Sequence, residues 1–94
     1  MDFEIKHDEK NQKFYTLIEG KESYLQYIFI NSNTLNMVKT YVPLELREQG
    51  IARKIVDEGL RYALKNHYTV IPSCSYVDNY IKRHPEFEKI KSDK

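Results

Sequence analysis

The stretch of this chain that decides its fold reads Val38-Lys39-Thr40-Tyr41-Val42-Pro43 and resumes after three residues as Arg47-Glu48-Gln49-Gly50-Ile51-Ala52-Arg53. The first part predicts a strand that ends at Pro43, because proline has no backbone N–H with which to continue a sheet ladder. Gly50 then opens an amphipathic helix, whose first turn offers unpaired backbone N–H groups and a partial positive charge. A helix start of this kind, with Arg47 beside it, is typical of an anion site and predicts a phosphate-bearing ligand.

The residues before this helix predict four strands in an antiparallel meander. Alternating or apolar runs occupy residues 2–7, 14–18, 24–30 and 36–42, and short polar turns separate them. The third run is apolar on both faces, so we expect it to be central and covered on both sides.

The residues after Gly50 predict a helix, a strand and a second helix. The apolar residues follow a helical period as far as Asn66-His67, and Tyr68–Pro72 predicts a short buried strand. A strand, a helix and another strand in one sheet imply a parallel, right-handed crossover. The chain is therefore expected to be an α+β domain with a mixed sheet.

The C-terminal part contains a predicted capping box and a charged tail. Ser75 and Asp78 have the capping-box spacing and open a helix that ends near His84-Pro85. The charged tail from about Glu88 carries no signal for ordered structure. We expect one domain over residues 1–94, with a tail that lacks fixed order.

Composition excludes several classes of function. A domain of 94 residues buries only about 60–65% of its unfolded surface, so we expect a monomer or a weak homodimer. A net charge of +1 argues against a nucleic-acid-binding module. A single cysteine excludes an internal disulfide and a multi-cysteine zinc site, so we expect no bound metal. No apolar run approaches the ~20 residues of a membrane span, and Met1–Glu4 does not resemble a signal peptide. We expect a cytoplasmic protein that does not bind membranes.

A known family shares the motifs of this chain. Residues 47–52 match Arg/Gln-x-x-Gly-x-Gly/Ala, the signature of the GNAT superfamily of acetyl-CoA-dependent N-acetyltransferases. With Thr40-Tyr41-Val42-Pro43 before it and Ile71-Pro72-Ser73-Cys74-Ser75-Tyr76-Val77 after it, the chain resembles the small stand-alone members, sometimes called YjdJ-like or N-acetyltransferase-domain-containing. The resemblance covers residues 2–87. It implies an acyltransferase that uses acetyl-CoA to acetylate an amine of a small molecule, or of a lysine in a peptide or protein.

The resemblance also implies where coenzyme A (CoA) lies. Its pyrophosphate is expected on the backbone N–H groups of residues 48–53, and its pantetheine arm on the end of the fourth strand, where the fourth and fifth strands splay apart. Residues of the second helix supply candidates for side-chain contacts. The implied cofactor-binding residues are Tyr41, Val42, Arg47, Glu48, Gln49, Gly50, Ile51, Ala52, Arg53, Asn79 and Arg83.

The chain departs from the family pattern on the acceptor side. Larger members insert helices between the first two strands, whereas Asp8–Gln12 leaves no room for them. We therefore expect an acceptor pocket that is open or completed by a partner subunit. Many members carry a general-base glutamate in the fourth or fifth strand, but neither 36–42 nor 68–72 contains one, and Lys39 stands where this subfamily often has histidine.

Two residues are candidates for catalysis. Cys74 precedes a predicted helix start, which lowers a thiol pKa, so the thiol could accept the acetyl group or a proton. The other interpretation of Cys74 is a small packing residue. Tyr80 could donate a proton to the departing thiolate, or it could pack in the core with Tyr76 one turn away. The alternative function is a CoA-binding interaction module with little or no catalytic activity, because its reduced acceptor site would no longer catalyse efficiently.

Overall fold

A five-stranded sheet in the order β1–β2–β3–β4–β5 carries two helices on one face, in a computed structural model that describes residues 3–92. Neighbouring strands are antiparallel except for β4 and β5, which are parallel, and this confirms the predicted meander, crossover and α+β class. The strands are β1 (Lys6–Asp8), β2 (Lys13–Ile18), β3 (Lys21–Asn31), β4 (Thr34–Tyr41) and β5 (Thr69–Pro72). The helices are α1 (Ile51–Lys65) and α2 (Ser75–Arg83), with 3₁₀ helices at Leu44–Leu46 and Pro85–Ile90.

Strand β1 is shorter than the expected run of residues 2–7. Phe3 and Ile5 pack against the core before the strand begins, and Asp2 lies outside the described residues. His7 anchors the strand, because its Nε2 lies 2.6 Å from the hydroxyl of Tyr27 and its ring stacks on Phe14.

Among residues 3–92 only one face of the sheet is covered, so the expectation that β3 is covered on both sides is wrong. Leu25 and Tyr27 are buried beneath the helices, whereas Ile28 is 47% exposed. The apolar pattern of β3 gave a wrong prediction because aromatic side chains on neighbouring strands shield part of the face opposite the helices but do not bury it. We call the face opposite the helices the outer face; its exposed centre comprises Tyr15, Leu17, Tyr24, Ile28, Lys39 and Tyr41.

A β-bulge in β4 reverses which residues face the helices. Met37 pairs with Tyr27 and Lys39 pairs with Gln26, so Val38 is an extra residue. Before the bulge, Met37 is buried under the helices. After it, Thr40 pairs with the buried Leu25 and therefore lies on the helix side, while Lys39 and Tyr41 lie on the outer face.

Helix α1 packs closely across β3 because of a small residue at the contact. A Cβ atom at Gly59 would lie 2.7 Å from Cδ2 of Leu25, so a larger residue would force the buried Leu25 side chain to shift. Ile55 and Leu60 are fully buried on the same side of the helix. The sheet and the N-terminus of α1 are thereby held in a fixed relation.

The start of α2 differs from the sequence prediction. The N-cap is Cys74 rather than Ser75, and no side chain in the described part of the chain caps the helix. The carboxylate of Asp78 pairs instead with Lys91 at 3.1 Å and Lys82 at 3.4 Å. The predicted capping box is therefore wrong, because two lysines compete successfully for the Asp78 carboxylate.

Residues 85–92 pack against the rest of the domain, although their charged composition gave no signal for ordered structure. Phe87 and Ile90 are buried, and Lys91 forms a bridge with Val70. The N–H of Ser92 donates to the carbonyl of Val70 at 2.8 Å. Phe87, Ile90 and these backbone contacts together hold the segment, so its order up to residue 92 differs from the expected unordered tail. Residues 93–94, the rest of that tail, lie outside the described residues.

The described residues contain no helix long and apolar enough to cross a membrane.

Candidate functional site

A groove with a volume of about 400 Å³ lies between the end of β4 and the start of α1. The groove is lined by Tyr41, Val42 and residues 47–53 except Gln49, all of which were expected to contact the cofactor. Asn79 and Arg83 line a neighbouring cavity of about 210 Å³. Arg53 borders both cavities, so the structure brings the two predicted groups of residues side by side.

The first turn of α1 presents unoccupied hydrogen-bond donors to this groove. The N-cap is Gly50, whose φ of +79° is a conformation that other residues rarely adopt, and it provides no side-chain acceptor. The helical ladder begins where the N–H of Lys54 donates to the carbonyl of Gly50 at 3.2 Å. The N–H groups of Ile51, Ala52 and Arg53 therefore have no intrahelical acceptor. The first turn also contains no acidic residue, so its positive potential is not cancelled.

Two guanidinium groups flank these donors. The Nε atom of Arg47 donates to the carbonyl of Val42 at 2.8 Å, which ties the loop to the strand end and holds the guanidinium at the groove. The side chain of Arg53 folds back over Gly50, because a Cβ placed on Gly50 would lie 3.1 Å from Arg53 Nη2. Both positive charges thus lie where a phosphate would meet the helix start.

Strands β4 and β5 separate beside the groove. Their parallel pairing ends at Met37 and Pro72, and the N–H of Cys74 donates to the carbonyl of Met37 at 3.0 Å. Beyond this point β4 continues to Tyr41 with no strand on its β5 side among residues 3–92. An extended ligand can add to this open edge. The carbonyl of Val42 is already engaged by Arg47, which limits what Val42 can offer.

The thiol of Cys74 lies in the gap between the separated strands. Thr40 Oγ1 is 3.4 Å from Cys74 Sγ, a contact that exists because the bulge turns Thr40 to the helix side. Burial raises the pKa of the Cys74 thiol, but hydrogen bonds from the Thr40 hydroxyl and from the backbone N–H groups of Val77, Tyr76 and Thr40 outweigh it, so the pKa lies below the ordinary value. The site therefore stabilises the thiolate of Cys74 more than water does.

Tyr80 is engaged away from the groove. Its buried ring stacks on His84 at 3.9 Å, and its hydroxyl donates to Asp57 Oδ1 at 2.8 Å. Burial raises the pKa of Tyr80, and the Asp57 carboxylate raises it further. To protonate a group in the groove, this hydroxyl would have to leave Asp57. The tyrosine of α2 that lines the groove is Tyr76.

Sequence reasoning missed Thr40, Leu46 and Tyr76 as lining residues of the groove. Leu46 belongs to a 3₁₀ helix that the sequence did not indicate, and Thr40 depends on the bulge. The two tyrosines of α2 are one turn apart, so their spacing alone could not show which of them points to the groove. The described residues contain no cluster of metal-binding side chains.

Comparisons with known proteins agree with this geometry. A family model described as GCN5-related N-acetyl-transferase matches residues 13–90. The protein NATD1 of Xenopus tropicalis is 24% identical over 83 residues, which cover 86% of this chain and 76% of that protein. Human NATD1 is 23% identical over 83 residues, covering 86% of this chain and 74% of that protein. The NMR structure of a GCN5-like protein from Staphylococcus aureus, 25% identical, superimposes with a TM-score of 0.74 and covers 95% of this chain and 87% of that chain.

Proposed function

The chain belongs to the GCN5-related N-acetyltransferase family, and from this premise we propose that it transfers an acetyl group from acetyl-CoA to an amine. The observation that carries the proposal is the uncapped first turn of α1, which opens beside the free edge of β4. These two features suit the two parts of CoA: an anion-binding helix start for the pyrophosphate, and a strand edge for the amide-containing pantetheine arm.

Particular residues of the groove would hold the cofactor. The N–H groups of Ile51, Ala52 and Arg53 donate to phosphate oxygens, and the guanidinium groups of Arg47 and Arg53 neutralise their charge. Asn79 and Arg83 extend the surface along α2. When bound, acetyl-CoA supplies an acetyl group activated as a thioester.

The acceptor amine must lose a proton before it can attack. A lysine-like amine with a pKa near 10.4 costs roughly 4 kcal/mol to deprotonate near pH 7.4. Neither β4 nor β5 contains a carboxylate that could take this proton. We assign this proton to the Cys74 thiolate, which lies in the gap between the strands and accepts hydrogen bonds from Thr40 and the start of α2. In a covalent route Cys74 Sγ would instead bond to the acetyl carbon as the bond from that carbon to the CoA sulfur breaks, and the released CoA thiolate would take the amine proton.

Titration with CoA tests the binding part of the proposal. We expect the backbone N–H resonances of Gly50, Ile51 and Ala52 to shift, since they belong to the start of α1. Arg47→Ala should weaken binding more at low than at high salt, because salt already screens an exposed charge. Lys65→Ala, at the opposite end of α1, is the control and should bind normally. If these backbone N–H resonances do not shift at millimolar CoA, the proposed binding site is wrong.

A CoA-binding module without efficient catalysis is the second candidate. The absence of a carboxylate from β4 and β5 favours it. The two candidates differ in the release of free thiol from acetyl-CoA across a panel of amines and peptides. An acetyltransferase should show acceptor-dependent release, whereas a binding module should show only slow hydrolysis that no acceptor accelerates.

A further inference from the structure

The groove continues past Arg53 into a second, smaller cavity between α1 and α2. This cavity has a volume of about 210 Å³ and shares Arg53 and Tyr76 with the groove. It is smaller than the roughly 300 Å³ of the smallest pockets that enclose a whole drug-sized ligand. The cavity therefore has room for one end of a ligand whose larger part lies in the groove.

The charge around this cavity is positive. Its charged lining residues are Arg53 and Arg83, and no carboxylate of the described residues lines it. Neither arginine has an ion-pair partner within residues 3–92. The adjoining cavities leave this excess unchanged, because each cation that they add is matched by a carboxylate: Arg47 by Glu48, and Lys54 and Arg61 by Glu58 and Asp57. Two uncompensated guanidinium groups therefore flank the cavity and favour an anionic ligand.

Packing fixes one wall of the cavity. The ring of Tyr80 is buried and stacks on His84 at 3.9 Å, and its hydroxyl donates to Asp57. Asn79 and Arg83 lie one turn apart on the same face of α2, and both are exposed. A guanidinium suits a phosphate and an amide suits a hydroxyl, so a phosphorylated sugar can bind there without rearrangement of the core.

We propose that this cavity binds the 3′-phosphate on the ribose of CoA, and that Arg83 is the residue that distinguishes CoA from dephospho-CoA, which lacks only this phosphate. The proposal rests on the acetyltransferase function above and specifies which form of the cofactor it uses. The edge of β4 accounts for the pantetheine arm and the start of α1 for the pyrophosphate, so the 3′-phosphate is the charged group of CoA that remains. Arg53 borders both cavities, and its guanidinium has enough donors to contact both phosphate groups.

Titrations with CoA and with dephospho-CoA test the site. We expect CoA to bind about tenfold more tightly, because dephospho-CoA cannot form the charge-assisted hydrogen bonds of the 3′-phosphate. The backbone N–H resonances of Asn79 and Arg83 should shift more with CoA than with dephospho-CoA. Those of Ile51 and Ala52, at the start of α1, should shift with both ligands.

The Arg83→Gln variant should reduce the tenfold preference for CoA to about twofold, while its affinity for dephospho-CoA stays nearly unchanged and shows that it is folded. The matched control is Lys82→Gln, which also removes one positive charge from α2; Lys82 pairs with Asp78 and does not line the cavity. This control should keep the full preference.

Turnover provides a second readout. Arg83→Gln should raise the KM for acetyl-CoA about fivefold and leave kcat unchanged, because the contact is remote from the reacting atoms and equally strong before and during transfer.

Equal affinity of the unaltered chain for CoA and dephospho-CoA would overturn this proposal and leave the proposed function standing. A preference that survives Arg83→Gln would place the 3′-phosphate elsewhere, and a preference that Lys82→Gln removes equally would reflect net charge alone; either result would also overturn it. Failure of both ligands to bind would instead defeat the proposed function.

Discussion

Gly50 meets two requirements at one position, a left-handed backbone and an unobstructed approach to the start of α1. Its φ is +79°, and a side chain there would meet the guanidinium of Arg53. Gly20, in the β2–β3 turn, has a φ of +77°, but a Cβ atom placed on it would have no neighbour within 4 Å, so it isolates the backbone effect. Comparing the two glycines therefore separates folding from ligand binding.

We expect Gly50→Ala and Gly20→Ala to lower the free energy of unfolding by a similar amount, about 1 kcal/mol, because each forces alanine into a left-handed conformation. Only Gly50→Ala should weaken CoA binding, by about tenfold or more, since its methyl group displaces Arg53 and occupies space at the helix start. Urea unfolding and CoA titration measure the two effects. Normal CoA binding by Gly50→Ala would show that no ligand approaches this backbone.

Cys74 is the residue whose role depends most on ionisation. If its thiolate takes part in transfer, Cys74→Ala should reduce turnover at least about a hundredfold while leaving CoA affinity nearly unchanged. Cys74→Ser should not restore activity, because a hydroxyl does not ionise readily near neutral pH. Full turnover in Cys74→Ala would assign the thiol to packing and deprotonation to water or to the acceptor.

The pH profile provides an independent check on Cys74. The active form is the thiolate, so turnover should be highest above the thiol pKa and fall as the pH drops through it. Since hydrogen bonds from Thr40 and the start of α2 hold this pKa below the ordinary value, activity should persist to lower pH than for an unperturbed thiol. Thr40→Val removes the hydroxyl donor and should move the profile to higher pH.

At the scale of elements, α1 and α2 are joined by a polar contact from Tyr80 to Asp57. Tyr80→Phe should cost about 1 kcal/mol of stability, because Asp57 loses one donor but keeps Arg61 at 2.8 Å. Tyr76→Phe, one turn earlier and exposed, is the control and should leave stability unchanged. We expect CoA binding to survive in both. A Tyr80→Phe variant with normal stability but greatly reduced turnover would instead identify Tyr80 as the proton donor.

The elements themselves were predictable from hydrophobic periodicity, and their detailed geometry was not. The helical period after Gly50 and the four alternating runs located α1 and the meander to within a few residues. The bulge at Val38 could not be foreseen, because a valine in a β-branched run has no local signal for an extra residue. The order of residues 85–92 depends on Phe87 and Ile90 reaching the core, a tertiary contact that composition does not reveal.

The candidate site, like the fold, was predictable from the sequence only in part. Residues 47–53 form a local unit of loop and helix start, so the sequence was sufficient to predict that they lie together. Thr40 and Cys74 are 34 positions apart and meet only because β4 is bulged and β5 is its neighbour. Contacts that depend on strand register are set by the whole sheet, and one chain segment does not encode them.

At the scale of the whole molecule, a domain of 94 residues has little stability to spare, so ligand binding should be visible in its melting temperature. CoA at about one hundred times its Kd adds about 2.7 kcal/mol of stability, which corresponds to an increase in Tm of roughly 10–20 °C for a domain of this size. Calorimetry with and without CoA measures this increase. Gly50→Ala should lose most of it, whereas Gly20→Ala should melt earlier but keep the full response.

The extra residue at Val38 makes β4 sensitive to a change in length rather than to a change in chemistry. Deleting Val38 would shift the register of the rest of β4 by one residue. From that point to Pro43, every side chain would exchange one face of the sheet for the other. The ammonium group of Lys39 would be forced under α1, and Thr40 would turn away from the thiol. In a library that samples both kinds of mutation, this strand should accept most conservative substitutions at Val38 and reject every single-residue insertion or deletion around it.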